Sequence, residues 1–333
     1  MEISIRPYNS GYREGAVKVL ESLWHFSEKE RYLRFDWLYD SNTNPSFHET
    51  LAVVAVDENN EVMGFRGWVP GIIWQDGRKY IVARAADVVV SPKARRQGVF
   101  SKMTTYSISY LKEKGIDTIL NLSSNSQSNP GYQKLGWLPI SNINIWYKPL
   151  LLHHYKPLNS EIKKEYKENI LEILPYIPQG LVIPSSESLC FSMKEGQLDW
   201  YSQRPNKKYI AALSRDKKGQ LTSLFIFDCH KNKSSLVFHY FRDILIARRT
   251  FRMAIRYINS KFIAVWGWAL SKENIRLLHQ IGFIKIPLYE RIMKKPPILA
   301  RCIGDVENKQ GWQIGKKDFR DIHNWEISLL DDF

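Results

Sequence analysis

From Asp87 to Phe100 the sequence reads Asp-Val-Val-Val-Ser-Pro-Lys-Ala-Arg-Arg-Gln-Gly-Val-Phe. An apolar strand runs into a basic loop holding one glycine. A helix is predicted from Val99 to Lys114, with Val99, Met103, Tyr106 and Tyr110 on one face. The start of a helix offers unbonded N–H groups and the positive end of its dipole, so this junction is an anion site. Arg95 and Arg96 add charge where a phosphate would sit, and Gly98 lets the backbone turn sharply. The competing reading is a solvated basic loop that only joins strand to helix. A P-loop is excluded because no Gly-Lys-Ser/Thr follows, and the spacing is not that of a Rossmann loop.

These residues resemble the GNAT acyltransferase superfamily, whose members bind acetyl-coenzyme A. Arg95-Arg96-Gln97-Gly98-Val99-Phe100 is similar to its Arg/Gln-x-x-Gly-x-Gly/Ala signature and departs from it at Phe100, in the small-residue position. Gly98-Val99-Phe100-Ser101 looks like the variant of some large bacterial members. Val90-Ser91-Pro92 fits the preceding apolar-x-Pro. Downstream, Asn125-x-x-Ser128-x-x-x-Tyr132, with Gln133-Lys134-Leu135-Gly136-Trp137 after it, resembles two further family segments.

The resemblance implies acetyl-CoA as co-substrate and a small-molecule amine as acceptor. By it, the strand ending at Val90 would splay from its neighbour at 119–122. The backbone of Val88, Val89 and Val90 would then hold the pantetheine arm, Arg95 to Ser101 the pyrophosphate, and Asn125 and Ser128 the rest of the arm. Tyr132 falls where the family places a general acid for the departing thiolate, the alternative being a Tyr that packs the short helix. Asp87 could deprotonate or orient the amine, directly or through water. A structural salt bridge to Arg84 or Arg66 is the alternative.

The elements that would position these groups are mixed α and β. Strands are expected near Ile3–Ile5, 50–56, from Glu61, and from Tyr80 to Val90, with a hairpin at Gln75-Asp76-Gly77. Helices are expected at 11–25, 28–40 and 126–135, and strands at 118–122 and 137–148. Pro157, Pro175, Pro178 and Pro184 bracket a charged stretch at 160–173 that reads as a helix. The expected organisation is a GNAT domain at 1–148, a connector at 149–190, and a degenerate GNAT-like domain with a tail at 191–333. Each domain would be a twisted mixed sheet flanked by helices.

The duplication rests on three ordered echoes. Phe35-Asp36-Trp37 is echoed by Leu198-Asp199-Trp200, and Asp87-Val-Val-Val by Asp243-Ile-Leu-Ile. Asn125 with Gly136-Trp137 is echoed by Asn274 with Gly282-Phe283. The second copy has no glycine after Asp243, so it lacks the anion loop.

Composition bounds the rest. The 333 residues, 44% hydrophobic and 25% charged, suit two globular domains. Three scattered cysteines, Cys190, Cys229 and Cys302, make no disulfide framework, and no apolar run or leader pattern appears, so the cytoplasm is the expected compartment. No His spacing suits a metal; His153 and His154 are neighbours and do not face one ion. The net charge of +14 is concentrated in residues 151–333, with 30 basic against 19 acidic. No nucleic-acid signature accompanies it, which sets nucleic acid aside as the expected partner. The leading expectation is acetyl transfer to a primary amine, such as an amino sugar or surface-polysaccharide precursor. The alternatives are a peptidoglycan-bridge aminoacyl transferase, which normally lacks the coenzyme loop, and a non-enzymatic basic module for an anionic partner. Trp266 and Trp268 could stack on a sugar or fill a core. The tail, Trp325 to Phe333, ends in acids and an aromatic; some tandem relatives place a C-terminal carboxylate in the active site.

Overall fold

The structure is a computed structural model that describes residues 2–40, 44–122, 127–141, 144–150, 155–184, 187–193, 196–230, 232–267, 270–286 and 297–328. The chain opens with β1 (Ser4–Pro7), α1 (Arg13–Leu20) and α2 (Glu28–Phe35). A capping box starts α2: the Ser27 hydroxyl accepts from the Glu30 N–H, and the Glu30 carboxylate accepts from the Ser27 N–H. A meander follows of β2 (Leu51–Val56), buried throughout, β3 (Val62–Gln75) and β4 (Arg78–Val90). Asp76 and Gly77 turn β3 into β4 with φ of 51° and 72°, the two positive values a tight hairpin requires.

Next, α3 (Val99–Glu113) leads to β5 (Thr118–Asn121), α4 (Asn129–Lys134) and β6 (Leu138–Ser141). Val99, Met103 and Tyr110 are buried as their spacing predicts. Tyr106, expected with them, is 38% exposed. The buried arc also takes in Thr104, Ser107 and Leu111, which moves its centre and leaves Tyr106 on the rim.

The remaining elements are β7 (Asn144–Pro149), β8 (Ile162–Tyr166), β9 (Asn169–Leu174), α5 (Gln197–Ser202), β10 (Tyr209–Asp216), β11 (Leu221–Asp228) and β12 (Ser234–Phe241). Then come α6 (Ile244–Ala254), β13 (Phe262–Gly267), α7 (Lys272–Gln280), β14 (Ile284–Lys285) and β15 (Ile298–Cys302). A small hairpin of β16 (Gln313–Ile314) and β17 (Lys317–Asp318) comes last. The helix expected at 160–173 is instead the β8–β9 hairpin. Its Lys and Glu residues favour helix locally, but β9 pairs with β10 and β8 is the last strand of the sheet. The exposed Lys163, Lys164 and Glu165 give that edge a charged guard.

Two sheets result, β1-β2-β3-β4-β5-β15-β6 and β14-β7-β13-β12-β11-β10-β9-β8. Each has a parallel pair, β4 with β5 and β12 with β13, followed by an α/β unit on one side and a meander on the other. The two sheets also exchange a strand. β7 enters the second sheet between β13 and β14, while β15 returns to the first between β5 and β6. This is a mixed α/β, tandem architecture with helices flanking both sheets.

Of the echoes, Gly136-Trp137 and Gly282-Phe283 are equivalent in place. Each follows a short helix, with glycine φ of 81° and 85° and a buried aromatic next. Trp37 and Trp200 stack on each other at 4.4 Å, and the Trp37 indole N–H donates to the Trp200 carbonyl. The Asp87/Asp243 echo is misplaced: Asp87 lies within β4, whereas Asp243 caps α6. A chance run of apolar residues after an Asp produced that match. No described helix is long and apolar enough to cross a membrane.

Candidate active site

The β4–β5 parallel register covers only Val82–Arg84 against Thr118–Leu120. β4 then runs on to Val90 beyond its register with β5, so on that side Val88, Val89 and Val90 have no partner among the described residues, in an opening between parallel strands. Opposite, the β3 register shifts between Arg66 and Trp68, so Gly67 faces both Ala86 and Asp87 in a bulge. A Cβ on Gly67 would run into the Tyr39 phenol, which crosses the bulge at that point.

Asp87 is buried, and each carboxylate oxygen accepts one hydrogen bond. The Trp24 indole N–H donates to Oδ1 at 2.9 Å and the Tyr39 hydroxyl to Oδ2 at 2.8 Å. Neither Arg66 nor Arg84 is its partner: Arg84 donates to the Tyr201 hydroxyl and the Pro70 carbonyl instead. Burial, and then the Asp87 charge, push the Tyr39 phenol well above its ordinary pKa, so Tyr39 stays a donor. Asp87 thereby ties the segment after α1, through Trp24, to the strand that borders the opening.

At the end of β4 the chain makes a short 3₁₀ turn over Pro92–Ala94 and enters α3 through Arg96 and Gly98, at φ of 64° and 73°. No side chain caps α3. The N–H groups of Val99, Phe100 and Ser101 thus start a helix with no internal acceptor. Arg95 and Gln97 brace the loop: Arg95 Nε donates to the Val90 carbonyl and Gln97 Nε2 to the Lys93 carbonyl. Arg95, Arg96 and Gln97 are exposed around this start. Open N–H groups, two guanidinium groups and a left-handed glycine fit a pyrophosphate. Phe100 turns its ring to α4, edge-on to Tyr132 at 5.2 Å, over Gly131, whose missing Cβ leaves the room.

Tyr132 is buried in α4, packed edge-on against Phe100 and Trp137. Arg66 Nη1 donates to its hydroxyl. Ser128 stands at the start of α4, where its carbonyl accepts from the Tyr132 N–H. Asn125 lies outside the described residues, as do Trp268 and the tail beyond Ser328. The described part of the tail reaches α7, where Glu326 accepts from Asn274. Among the described residues no three His, Cys, Asp or Glu side chains gather as a metal site. The structure therefore brings together Asp87, the β4 end, the loop and Tyr132. It adds Trp24, Tyr39 and Arg66, none of which a motif announces, beside Trp137 of the Lys-Leu-Gly-aromatic segment. A lone arginine in the apolar run of β3 was the available signal.

The second sheet offers a contrast. Its β12 and β13 also part company, after Ser235 and Ala264. There, however, the Asp243 carboxylate accepts from the N–H groups of Leu245 and Ile246 at 2.7 and 3.1 Å. The chain's own anion occupies that helix start, so α6 has no vacancy for a phosphate.

Comparison with known proteins agrees with this geometry. The family model described as an acetyltransferase (GNAT) domain matches residues 4–140. The whole fold is similar to a probable N-acyltransferase of Enterococcus faecalis, at TM-score 0.63 and 12% identity, covering 90% of this chain and 73% of that one. A GCN5-related N-acetyltransferase of Anabaena variabilis gives TM-score 0.62 at 11% identity, with 91% and 73% covered. A tandem GNAT protein from the clavulanic acid biosynthesis pathway gives TM-score 0.54 at 11% identity, with 91% and 99% covered. No curated sequence matches the chain. Residues 4–140 thus match the GNAT acetyltransferase domain, and the fold of the whole chain is similar to that of a tandem GNAT protein.

Proposed function

We propose that the first domain transfers an acetyl group from acetyl-CoA to a primary amine, with an amino sugar or a surface-polysaccharide precursor as the acceptor class, and that it works in the cytoplasm. The observation that carries the reading is the uncapped, glycine-entered start of α3 at the end of a strand that leaves its parallel neighbour. Coenzyme A would supply the activated thioester. Val88 to Val90 would bind its arm through their backbone, and the loop from Arg95 to Ser101, with Ser128 and Asn125 beyond it, would hold the remainder. Tyr132 is the acid for the departing sulfur. Asp87 orders the acceptor side through Trp24 and Tyr39 and acts on the amine through that order. The second domain has no coenzyme loop and serves as a wall for the acceptor.

Isothermal titration with acetyl-CoA tests the coenzyme half of this reading, and no heat at millimolar coenzyme would overturn it. Thiol release from acetyl-CoA in the presence of glucosamine, galactosamine, spermidine or a lysine peptide tests the acceptor half. Turnover only with spermidine or the peptide would remove the amino-sugar assignment. Tight, salt-sensitive binding of DNA with no coenzyme binding would replace the whole reading with a basic module.

A further inference from the structure

Arg66 sits on β3 beside the bulge, 1% exposed. Among the described residues no carboxylate pairs with it, and its Nε and Nη2 have no hydrogen-bond partner. A buried guanidinium without an anion is costly. Its place over the Trp68 ring, 4.1 Å from the centroid, offsets only part of that cost. Its hydrogen bond, from Nη1, goes to the Tyr132 hydroxyl. A phenol oxygen that accepts from a guanidinium still has its own O–H to give. No described residue accepts it.

We propose that Arg66 is a positioning residue for Tyr132, which it holds with the hydroxyl proton directed into the β4–β5 opening and whose negative charge it stabilises after proton transfer. The proposal rests on the reading of Tyr132 as the acid. In the step concerned, the amine nitrogen bonds to the acetyl carbon and the C–S bond breaks, leaving its electron pair on sulfur. Tyr132 Oη gives its proton to that sulfur and becomes a phenolate beside the guanidinium. The proton released by the amine passes to solvent, and a solvent proton restores the phenol. Arg66 neither gains nor loses one. Its positive charge lies where negative charge develops, at a buried position where such an arrangement acts most strongly. This accounts for a buried cation with no ground-state anion among the described residues.

A double-mutant cycle with Tyr132→Phe tests it, with acetyl-CoA and whichever amine of the panel turns over fastest. Arg66→Met removes donor and charge, Arg66→Gln keeps a neutral donor, and Arg66→Lys keeps the charge. Tyr132→Phe is expected to lower kcat by about 10²–10⁴-fold. In the Tyr132 background Arg66→Met is expected to lower kcat by about 10- to 100-fold, with the KM for acetyl-CoA unchanged. Arg66→Lys should recover part of that loss and Arg66→Gln less. In the Tyr132→Phe background Arg66→Met should change kcat little, because the group it serves is gone. Equal losses in both backgrounds, or a raised KM with kcat unchanged, would overturn the proposal and mark Arg66 as structural or substrate-binding. If Tyr132→Phe keeps wild-type kcat, the acid assignment itself fails. Wild-type kcat in Arg66→Met beside a damaged Tyr132→Phe would sink the Arg66 role alone. If the Met variant does not fold, the Gln and Lys variants carry the same comparison.

Discussion

Gly98 does its work through its backbone. At φ +73° it has nothing within 4 Å of where a Cβ would stand, so a side chain there meets no protein atom. The cost of Gly98→Val is therefore backbone strain, about 1–2 kcal/mol or somewhat more for a β-branched residue. The space the new side chain fills is the space assigned to the pyrophosphate. A folded Gly98→Val protein should show an acetyl-CoA Kd raised at least about tenfold by titration. Unchanged affinity would remove the loop from the coenzyme site. Asp87 makes a different forecast. Both of its oxygens accept, so Asp87→Asn sets an NH₂ group against the Trp24 or the Tyr39 donor. We expect about 1–3 kcal/mol lost in denaturant unfolding, a KM for the amine that rises, and coenzyme affinity that holds. Unaltered stability with kcat alone reduced would instead favour a direct base. Asp87, Gly98 and Tyr132 were legible as candidates because each sits in or just before a short motif. Their partners were not: the bonds to Asp87 and Tyr132 join residues 63, 48 and 66 positions apart, and only the sheet topology brings them together.

Among the elements, two helix starts in equivalent places behave oppositely. α3 begins after a left-handed glycine with no side-chain cap, whereas α6 begins under Asp243, which satisfies two of its N–H groups. A capped start is stable and closed to anions; an uncapped one keeps its donors for a ligand. Asp243→Ala should accordingly destabilise the protein by about 1 kcal/mol, read in urea unfolding. Calorimetric stoichiometry should stay at one acetyl-CoA per chain in the wild type and in this variant, because α6 still lacks a glycine entry. A second equivalent bound by the wild type would refute the division of labour between the domains. Local pattern sufficed to read α3, β2 and the β3–β4 hairpin, where apolar spacing and Asp76-Gly77 agree with the tertiary outcome. It failed at 162–174. There Glu and Lys suggest a helix, and the edge of the second sheet overrides that preference.

At the scale of the molecule, the exchange of β7 and β15 means that neither sheet is complete without the other half of the chain. β15 runs between β5 and β6 with Ile298, Leu299, Ala300 and Cys302 buried, and the Thr118 hydroxyl donates to the Arg301 carbonyl. Arg301 in turn donates through Nε to the Leu135 carbonyl at the end of α4, two residues before Trp137 and three after Tyr132. The far strand thus braces the helix that carries the proposed acid. One apolar cluster spans both halves, from Phe35 and Trp37 to Trp200 and Leu213. No sequence motif could announce this, since β7 and β15 look like ordinary closing strands, and which sheet each joins depends on contacts made across the whole chain. The consequence is cooperativity. Unfolding by urea should be one transition, with coincident midpoints from tryptophan fluorescence and far-ultraviolet circular dichroism. A chain ending at Leu150 would expose the β5 and β6 edges to solvent and leave β7 with no sheet, so it should aggregate or stay loosely packed. Two well-separated urea transitions, or a monomeric 1–150 fragment that unfolds cooperatively and binds acetyl-CoA like the intact chain, would show that the first sheet closes without β15. The strand exchange would then be decoration on an independent domain, and the support that β15 gives to Tyr132 through Arg301 would have to be abandoned.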